Sequence, residues 1–177
     1  MKIIAKREAI LSPLQAVIGV VERKQTMPIL ANVLATAKGG KLSITATDLE
    51  VELVATSDVD VQRGGEITIP GRKLLDICRA LPDDANVQVQ LDGDRLVIKS
   101  GRSRFVLGTL PAAEFPVVDD VEPLQSLQLS QVDLRTLLEK THFAMAQQDV
   151  RYYLNGLLLE TGKKMVRAVA TDGHRLA

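Results

Sequence analysis

The feature that most constrains how this chain folds is an internal repeat. The tripeptide Ala170-Thr171-Asp172 repeats Ala46-Thr47-Asp48, which lies 124 positions earlier, and the same offset pairs Leu138 with Leu14. In both copies an amphipathic segment precedes a polar stretch, an apolar run, a Gly/Lys turn and a strand that ends in Ala-Thr-Asp. A fixed period with a constant order of elements indicates a duplicated structural unit. Because the second copy stops early in its period, we expect one whole domain and the opening of another.

Within the first period, the hydrophobic pattern predicts a β-α-β-β-β order that occurs twice. The first occurrence comprises a strand, a helix and three strands, predicted at residues 2–5, 7–21, 29–35, 42–46 and 49–54. The second has the same order, predicted at residues 66–69, 72–81, 87–91, 96–100 and 103–107. The sequence therefore predicts an α+β fold with duplicated β-α-β-β-β units and helices on one face of antiparallel sheets.

Prolines and acidic residues in the stretch 116–126 are typical of a linker between domains. After it, a short strand at 127–129 and a helix over 130–146 are predicted to restart the unit. We accordingly expect a complete domain at residues 1–123 and an incomplete one at residues 124–177.

Composition excludes several classes of protein. The chain carries 22 Lys and Arg and 22 Asp and Glu, so its formal net charge of zero argues against binding nucleic acid by bulk charge. Cys78 is the only cysteine, which excludes an internal disulfide and a cysteine-rich zinc site and suits a reducing cytoplasmic setting. No apolar run approaches the roughly 18 residues of a membrane span, and the charged N-terminus is unlike a signal peptide.

The predicted helix at 72–81 presents two different faces. Leu74, Cys78 and Leu81 share an apolar face, whereas Arg72 and Arg79 lie almost opposite to it. The polar face is either an ordinary solvated surface or a phosphate-facing one on which the arginines act as long charged arms. Cys78 is expected in the core, where a reactive thiol is unfavourable.

Tyr152 and Tyr153, the two tyrosines of the chain, follow Gln148 and Arg151 where a loop is expected to enter a strand. Polar and aromatic side chains beside an arginine suit contact with phosphates or unpaired bases. The alternative is one buried and one surface tyrosine, because neighbouring strand residues face opposite ways.

The terminal motif permits an enzymatic hypothesis, a metal-dependent hydrolase that uses Asp172 and His174 together with Asp149. The equivalent stretch of the first copy contains no histidine, and the sequence lacks a nucleophile elbow, a metal-spaced histidine pair and a phosphate loop. We therefore expect Ala-Thr-Asp to be structural, with Thr or Asp capping a turn through local hydrogen bonds.

The predicted strand 103–107 places Arg102 and Arg104 on one face and Phe105 and Leu107 on the other. This pattern fits either an ordinary sheet with a charged outer face or a strand edge prepared for an acidic partner. A compact protein-interaction module without a role on DNA is a further possibility, favoured by the zero net charge.

These segments together resemble the beta subunit of bacterial DNA polymerase III, the sliding clamp family. The resemblance covers the whole chain and is most specific at residues 109–112 (TLPA), 148–156 (QDVRYYLNG) and 171–177 (TDGHRLA). It implies the DNA-clamp fold, three such domains in a chain, and two chains that close head to tail into a homodimeric ring around double-stranded DNA. It also implies a cytoplasmic, non-catalytic replication protein with no metal, cofactor or membrane association.

The resemblance further assigns roles to individual residues. The expected DNA contacts are Lys24, Arg72, Gln148, Tyr152 and Tyr153. A pocket for short linear motifs of the polymerase III alpha subunit, the clamp loader and other polymerases is expected to begin with Leu154, Thr171, Gly173, His174, Arg175 and Leu176. The expected ring contact of the first domain comprises Lys73, Ile77, Leu81, Arg95, Arg102, Arg104, Phe105 and Leu107.

Overall fold

The computed structural model of the chain describes residues 1–21, 27–116, 126–162 and 165–177. Its backbone separates into two compact units, Met1–Asp120 and Val121–Ala177, called unit 1 and unit 2 below. Across the described residues, no helix is both long and apolar enough to cross a membrane.

Unit 1 contains the predicted β-α-β-β-β order twice, with one additional strand between the two repeats. The first repeat consists of β1 (Lys2–Lys6), α1 (Arg7–Val17), β2 (Asn32–Lys38), β3 (Lys41–Thr47) and β4 (Glu52–Asp58). The additional strand, β5 (Asp60–Arg63), was not predicted. The second repeat consists of β6 (Gly65–Pro70), α2 (Gly71–Ala80), β7 (Asn86–Asp92), β8 (Arg95–Ser100) and β9 (Ser103–Gly108).

The two repeats of unit 1 exchange their first strands. One antiparallel sheet has the order β4-β3-β2-β6, and the other has the order β5-β1-β7-β8-β9. Thus β6 of the second repeat pairs with β2 of the first, and β1 of the first repeat pairs with β7 of the second. Neither repeat completes its own sheet, so the repeats fold as one domain.

The core of unit 1 is a single cluster built by both repeats. Leu14 and Ile44 from the first repeat and Leu96 and Ile98 from the second are almost completely buried. Cys78 belongs to the same cluster, as predicted, and burial raises the pKa of its thiol to about 11. A thiol in this environment stays protonated and unreactive at neutral pH.

Helix α1 contains Pro13, which cannot donate a backbone hydrogen bond to the carbonyl of Ala9. The hydroxyl of Ser57 on β4 donates to that freed carbonyl oxygen instead, at 2.5 Å. The acceptor lost to proline is therefore satisfied by the sheet on which the helix packs, and helix α1 is held against β4.

Three boundaries predicted in the first repeat were wrong. The helix predicted to reach residue 21 ends at Val17 and continues as a 3-10 turn, Ile18–Val20. The strand predicted from residue 29 begins at Asn32, because Pro28–Ala31 forms another 3-10 turn. The strand predicted from residue 49 begins at Glu52, because the residues before it form a turn around Asp48. Apolar side chains in these turns have the same spacing as those of the adjacent helix or strand, so the hydrophobic pattern extends the predicted element beyond its true end.

Unit 2 contains helix α3 (Gln131–Glu139) and a two-stranded antiparallel sheet of β10 (Leu158–Thr161) and β11 (Val166–Val169). Two 3-10 turns, His142–Ala144 and Tyr152–Leu154, lie between the helix and the sheet. The side chain of Ser130 caps α3 by accepting a hydrogen bond from the backbone of Asp133.

The predictions for unit 2 need two corrections. The helix predicted over 130–146 ends at Glu139, and just beyond it the buried hydroxyl of Thr141 donates to the Leu137 carbonyl at 2.8 Å. The segment 127–129, predicted as a strand, is irregular. Its counterpart β1 pairs only with β5 and with β7 of the opposite repeat, and the described part of unit 2 has no such partners.

Candidate functional site

The motif at the end of unit 2 forms a tight turn held by its own side chains. The Thr171 hydroxyl accepts from the backbone of Gly173 and donates to the Arg175 carbonyl. The Asp172 carboxylate accepts from the backbone N–H groups of His174 and Arg175, both at 2.9 Å, and from Arg175 Nε. These bonds, the backbone ones first, hold the pKa of Asp172 below its usual value.

The first copy of the motif makes the same turn in unit 1. Leu49 donates to the Thr47 hydroxyl, and Glu50 and Val51 donate to the carboxylate of Asp48. The structural interpretation of Ala-Thr-Asp is therefore confirmed. The third position of both turns has a left-handed backbone, with φ of 78° at Leu49 and 89° at Gly173. Only the second copy places glycine where that conformation favours it.

Arg151 connects this turn to the segment that carries the tyrosines. Its guanidinium forms a two-point ion pair with Asp149, through Nε at 3.0 Å and Nη2 at 2.8 Å. Nη2 also lies 3.4 Å from the backbone oxygen of Asp172. The guanidinium packs against Gly173 so closely that a Cβ there would lie 3.3 Å from Nη1.

The carboxylate of Asp149 is organised by this pairing. It accepts from the side chain and from the backbone N–H of Arg151, and these bonds lower the pKa of Asp149 to about 2. The Asn155 side chain closes the loop, accepting from the backbone of Asp149 and donating to its carbonyl. The loop 149–155 is therefore fixed by its own polar side chains.

Both tyrosines are exposed, which excludes the alternative of one buried and one surface tyrosine. Tyr152 and Tyr153 lie in the 3-10 turn Tyr152–Leu154, and their rings meet edge to face with centroids 5.9 Å apart. Leu154, at the end of the same turn, is half-buried. Gln148 is exposed and has a left-handed backbone, φ 56°.

An open cleft of about 580 Å³ lies between the loop and the turn, both belonging to unit 2. Its walls include Gln148, Asp149 and Arg151 from the loop and Asp172, His174 and Arg175 from the turn. The structure thus brings together two groups of residues that are separate in the sequence.

Of the residues expected in the motif pocket, Thr171, Gly173, His174 and Arg175 share the turn, and Leu176 pairs back with Thr171. Leu176 is exposed to solvent. The guanidinium of Arg175 lies 5.9 Å from the ring centre of Phe143.

Sequence reasoning assigned no positioning role to Arg151, Asn155 or Phe143. The sequence did contain one indication of the role of Arg151: it follows Asp149 by two residues, a spacing that permits an ion pair across a turn. Asn155 bonds Asp149 six residues away, and Phe143 contacts Arg175 thirty-two positions later, so the hydrophobic pattern predicts neither contact.

In unit 1, Arg72 is not a free solvated arm. It is half-buried, its Nη2 donates to the carbonyl of Val21, and its Nε is buried without a hydrogen-bond partner. Arg79 on the same helix is exposed. Lys24, the other expected DNA contact of this unit, lies outside the described residues.

Strand β9 lies at the edge of its five-stranded sheet. Leu107 is buried in the core and Phe105 is half-buried against it, whereas Arg102 and Arg104 are exposed, as the alternation predicted. Arg104 lies directly opposite Lys99 on β8, a like-charged cross-strand pair that destabilises the sheet unless acidic groups approach.

The remaining expected ring contacts also belong to this half of unit 1. Lys73 and Arg95 are exposed, Ile77 is half-buried, and Leu81 is buried.

The carboxylates invoked by the hydrolase hypothesis are already engaged. Asp172 is bonded within its own turn, and Asp149 is paired with Arg151. In the part of the chain that the structure describes, no three His, Cys, Asp or Glu side chains form a group that could hold a metal ion.

Comparison with known families gives a match for each unit. The family described as DNA polymerase III beta subunit, N-terminal domain, matches residues 1–119, and its central domain matches residues 128–177.

Individual relatives agree with the family matches. The beta sliding clamp of Pseudomonas putida is 56% identical over 173 residues, which are 97% of this chain and 47% of that protein. The beta sliding clamp of Escherichia coli K12 is 51% identical over 178 residues, which are 100% of this chain and 49% of that protein. The chain therefore spans about half the length of the curated relatives it matches.

Solved structures show the same likeness. A crystal structure of a Pseudomonas aeruginosa sliding clamp bound to griselimycin has a TM-score of 0.94 and 53% identity, covering 99% of this chain and 48% of that one. The Caulobacter crescentus polymerase III beta structure has a TM-score of 0.93 and 44% identity, covering 99% of this chain and 49% of that one.

Proposed function

Because the chain belongs to the DNA polymerase III beta subunit family, we propose that it supplies the first domain, and part of the second, of a bacterial sliding clamp. The function is topological: a ring of such domains encircles double-stranded DNA in the cytoplasm, slides along it without reading bases, and tethers the replication machinery. No catalytic step is required of this chain.

The observation that carries the proposal is the junction made by Arg151 in unit 2. It holds a loop bearing exposed tyrosines against a turn bearing His174 and Arg175, so two adjacent recognition surfaces share one support. An enzyme would need an unengaged nucleophile, base or metal site here, whereas a docking scaffold needs only a rigid, accessible surface.

The DNA-facing surface of the proposal comprises Lys24, Arg72, Gln148, Tyr152 and Tyr153. In unit 2, the exposed tyrosine rings and the Gln148 amide suit contact with the phosphate-sugar backbone, which provides affinity without sequence selection. In unit 1, one N–H group of the Arg72 guanidinium already donates to the Val21 carbonyl. Arg72 therefore contributes to DNA binding through its remaining N–H groups and through its fixed positive charge. A zero net charge is compatible with such local contacts.

The partner-docking surface consists of Leu154 and the turn residues Thr171, Gly173, His174, Arg175 and Leu176. Exposed Leu176 and half-buried Leu154 offer apolar contact, and the turn offers a polar rim. An extended peptide with apolar anchors fits such a site. The partners are short motifs of the polymerase III alpha subunit, the clamp loader and other polymerases.

The ring contact of the proposal uses the β9 edge with Arg102 and Arg104, together with Lys73 and Arg95. An acidic edge of another domain would relieve the repulsion between Arg104 and Lys99. Leu107 and Leu81 support this contact from the core, because both are buried within unit 1.

A chimera provides the decisive experiment. Residues 1–177 replace the matching region of the Pseudomonas putida clamp, and the chimera is loaded onto nicked circular DNA or onto the same DNA after linearisation. A clamp remains on the circle and is lost from the linear form, whereas equal retention on both would contradict the proposal.

The pair Tyr152→Phe and Tyr152→Ala in the same chimera tests the DNA-facing surface. Phe keeps the ring and removes the hydroxyl, so the ring's contribution is isolated by comparison with Ala. We expect Ala to weaken retention equally on unrelated DNA sequences, because backbone contacts carry no sequence information. A loss confined to one sequence would contradict sliding.

A further inference from the structure

The guanidinium of Arg151 in unit 2 contacts two segments that are distant in the sequence. Toward the loop it forms the two-point ion pair with Asp149, at 3.0 and 2.8 Å. Toward the turn its Nη2 lies 3.4 Å from the backbone oxygen of Asp172. A Cβ placed on Gly173 would lie 3.3 Å from Nη1, 3.6 Å from Nη2 and 3.9 Å from Cζ. The guanidinium therefore lies directly against the position that a side chain at residue 173 would need.

The first copy of the turn shows what glycine adds at this position. At the repeat offset of 124, Gly173 corresponds to Leu49 and Arg151 corresponds to Met27. Leu49 has the same left-handed backbone, and its turn makes the same side-chain-to-backbone bonds. Glycine relieves strain in this conformation, but the turn also forms with leucine. The additional effect of Gly173 is the space that it leaves for Arg151, and unit 1 has neither residue of the pair.

The loop and the turn are otherwise held by bonds of their own. Asn155 bonds both the backbone N–H and the carbonyl of Asp149, and the Thr171 hydroxyl bonds within the turn. Among the residues that the structure describes, no hydrogen bond other than that of Arg151 crosses between loop 149–155 and turn 171–175. Because the guanidinium is planar and rigid, a shift of the turn displaces it and with it the carboxylate of Asp149.

We propose that Arg151 is a positioning residue that couples the two surfaces of unit 2. A peptide that orders the turn then also orders the tyrosine loop, and DNA that orders the loop also orders the turn. Such coupling is reciprocal, because the first ligand bears the entropy cost of ordering the shared support and lowers it for the second. The identity of the two ligands rests on the proposed function, whereas the coupling is a property of the chain itself and is measured without either ligand.

The chain reports on its own loop, because its two tyrosines lie there and it contains no tryptophan. Thr171→Val removes the hydroxyl that bonds Gly173 and Arg175, and so loosens the turn. We expect it to lower the tyrosine fluorescence anisotropy of the 177-residue chain, and to cause no further change when Arg151→Gln is already present. Thr47→Val makes the same change in the unit 1 turn and should leave the anisotropy unchanged.

An anisotropy that does not respond to Thr171→Val overturns the proposal. An equal response in the presence and absence of Arg151→Gln also overturns it. A variant that simply unfolded unit 2 would give this second outcome, because unfolding frees the tyrosines whether or not Arg151 is present.

The reverse direction is measured by amide hydrogen exchange. Asn155→Ala removes the side-chain bonds to Asp149 and so loosens the loop. We expect it to speed exchange at the amides of His174 and Arg175 by at least about fivefold, the lower end of typical coupling between sites. Arg151→Gln should abolish this increase. Exchange in the turn that ignores Asn155→Ala would mean that the two surfaces are independent.

Two further variants separate the geometry of Arg151 from its charge. Arg151→Lys keeps a positive charge beside Asp149 but lacks the planar group, so we expect it to lose the coupling as Arg151→Gln does. Full coupling in Arg151→Lys would contradict the positioning role. Arg167→Gln breaks the ion pair with Glu160 in the β10–β11 hairpin of the same unit and should leave both measurements unchanged.

These outcomes are independent of the chimera experiment. Loss of the chimera from linear DNA alone, without coupling in the chain, overturns only the coupling. Coupling in the chain, with equal retention of the chimera on circular and linear DNA, contradicts only the proposed function.

Discussion

Leu14 in unit 1 and Leu138 in unit 2 occupy equivalent positions of one repeated pattern, yet Leu14 is completely buried and Leu138 is 40% exposed. Both lie on amphipathic helices, and both helices precede an antiparallel pair of strands that ends in the same Thr-Asp turn. The difference is the second repeat, which covers the helix in unit 1 and has no counterpart in the described part of unit 2.

This comparison separates what a repeat does alone from what a pair of repeats does. Helix, hairpin and turn form in both units, because they depend on local periodicity and local hydrogen bonds. The cluster of large buried side chains forms in unit 1, where two repeats meet, whereas the described part of unit 2 buries only Thr141 and four alanines. The hydrophobic stabilisation of unit 1 therefore comes from apolar surface that the two repeats bury against each other, and not from surface buried within one repeat.

The largest expected difference between the units concerns their equivalent leucines. Leu14→Ala leaves a cavity in a closed core and should cost about 3–5 kcal/mol of unit 1 stability. Leu138→Ala removes a partly solvated side chain and should cost no more than about 1 kcal/mol. Residue-resolved hydrogen exchange in β8 and β11 measures each unit separately. Equal costs would mean that α3 is as well covered as α1.

The next effect concerns the joint between the two repeats of unit 1. The buried Thr68 hydroxyl accepts from Asn32 Nδ2 and donates to the Leu110 carbonyl, both at 2.9 Å. Thr68→Val leaves these groups unsatisfied and should cost about 1–3 kcal/mol. Thr136→Val is the control in unit 2: this hydroxyl donates to the Val132 carbonyl of its own exposed helix, so its loss should change stability by no more than about 0.5 kcal/mol. If Thr68→Val and Thr136→Val lowered the free energy of urea unfolding by similar amounts, the Thr68 hydrogen bonds would not specifically stabilise the contact between the repeats.

A smaller effect compares the two Thr-Asp turns at their left-handed position. Gly173→Ala adds a Cβ where φ is 89° and should destabilise its turn by about 1–2 kcal/mol. Leu49→Gly removes similar strain but adds unfolded-state entropy, so the net change should stay within about 1 kcal/mol. Amide exchange at Arg175 and Val51 measures the two turns. A stabilising Gly173→Ala would show that the left-handed geometry is not retained in solution.

The last prediction concerns pH. Asp149 has a pKa of about 2 in the folded chain, below the ordinary value of about 3.9, because Arg151 bonds its ionised form. The pairing therefore stabilises the loop above about pH 4 and is lost as the pH falls toward 2. The carboxyl carbon shift of Asp149, followed by NMR titration, should give this low midpoint, and Arg151→Gln should move it upward. A midpoint near 3.9 in the wild type would contradict the ion pair.

Several features of the molecule were predictable because they depend on neighbours in the sequence. The alternation of residues 103–107 predicted buried Leu107 and exposed Arg104, and the spacing of helix α2 predicted buried Cys78. The structural role of Asp48 and Asp172 followed from the general tendency of aspartate to bond the backbone two or three residues ahead.

Other features depended on distant partners and were missed. The segment 127–129 has the pattern of a strand, but a strand needs a neighbouring strand to satisfy its backbone, and that of β1 comes from the opposite repeat. Arg72 has the pattern of a solvated arm, but its guanidinium meets the Val21 carbonyl. The two tyrosines were expected where a loop enters a strand, but they lie in a 3-10 turn in which both are exposed.

By itself, the sequence determined the repeat, the family, the order of the elements and the Thr-Asp turns, since each depends on periodicity or on hydrogen bonds between close neighbours. Only the tertiary structure decided that the repeats of unit 1 exchange their first strands and that Arg151 joins the loop to the turn in unit 2. It also decided that equivalent leucines are buried in one unit and exposed in the other. The physical reason is that burial and strand pairing are properties of two surfaces in contact, and a one-dimensional pattern describes only one of them.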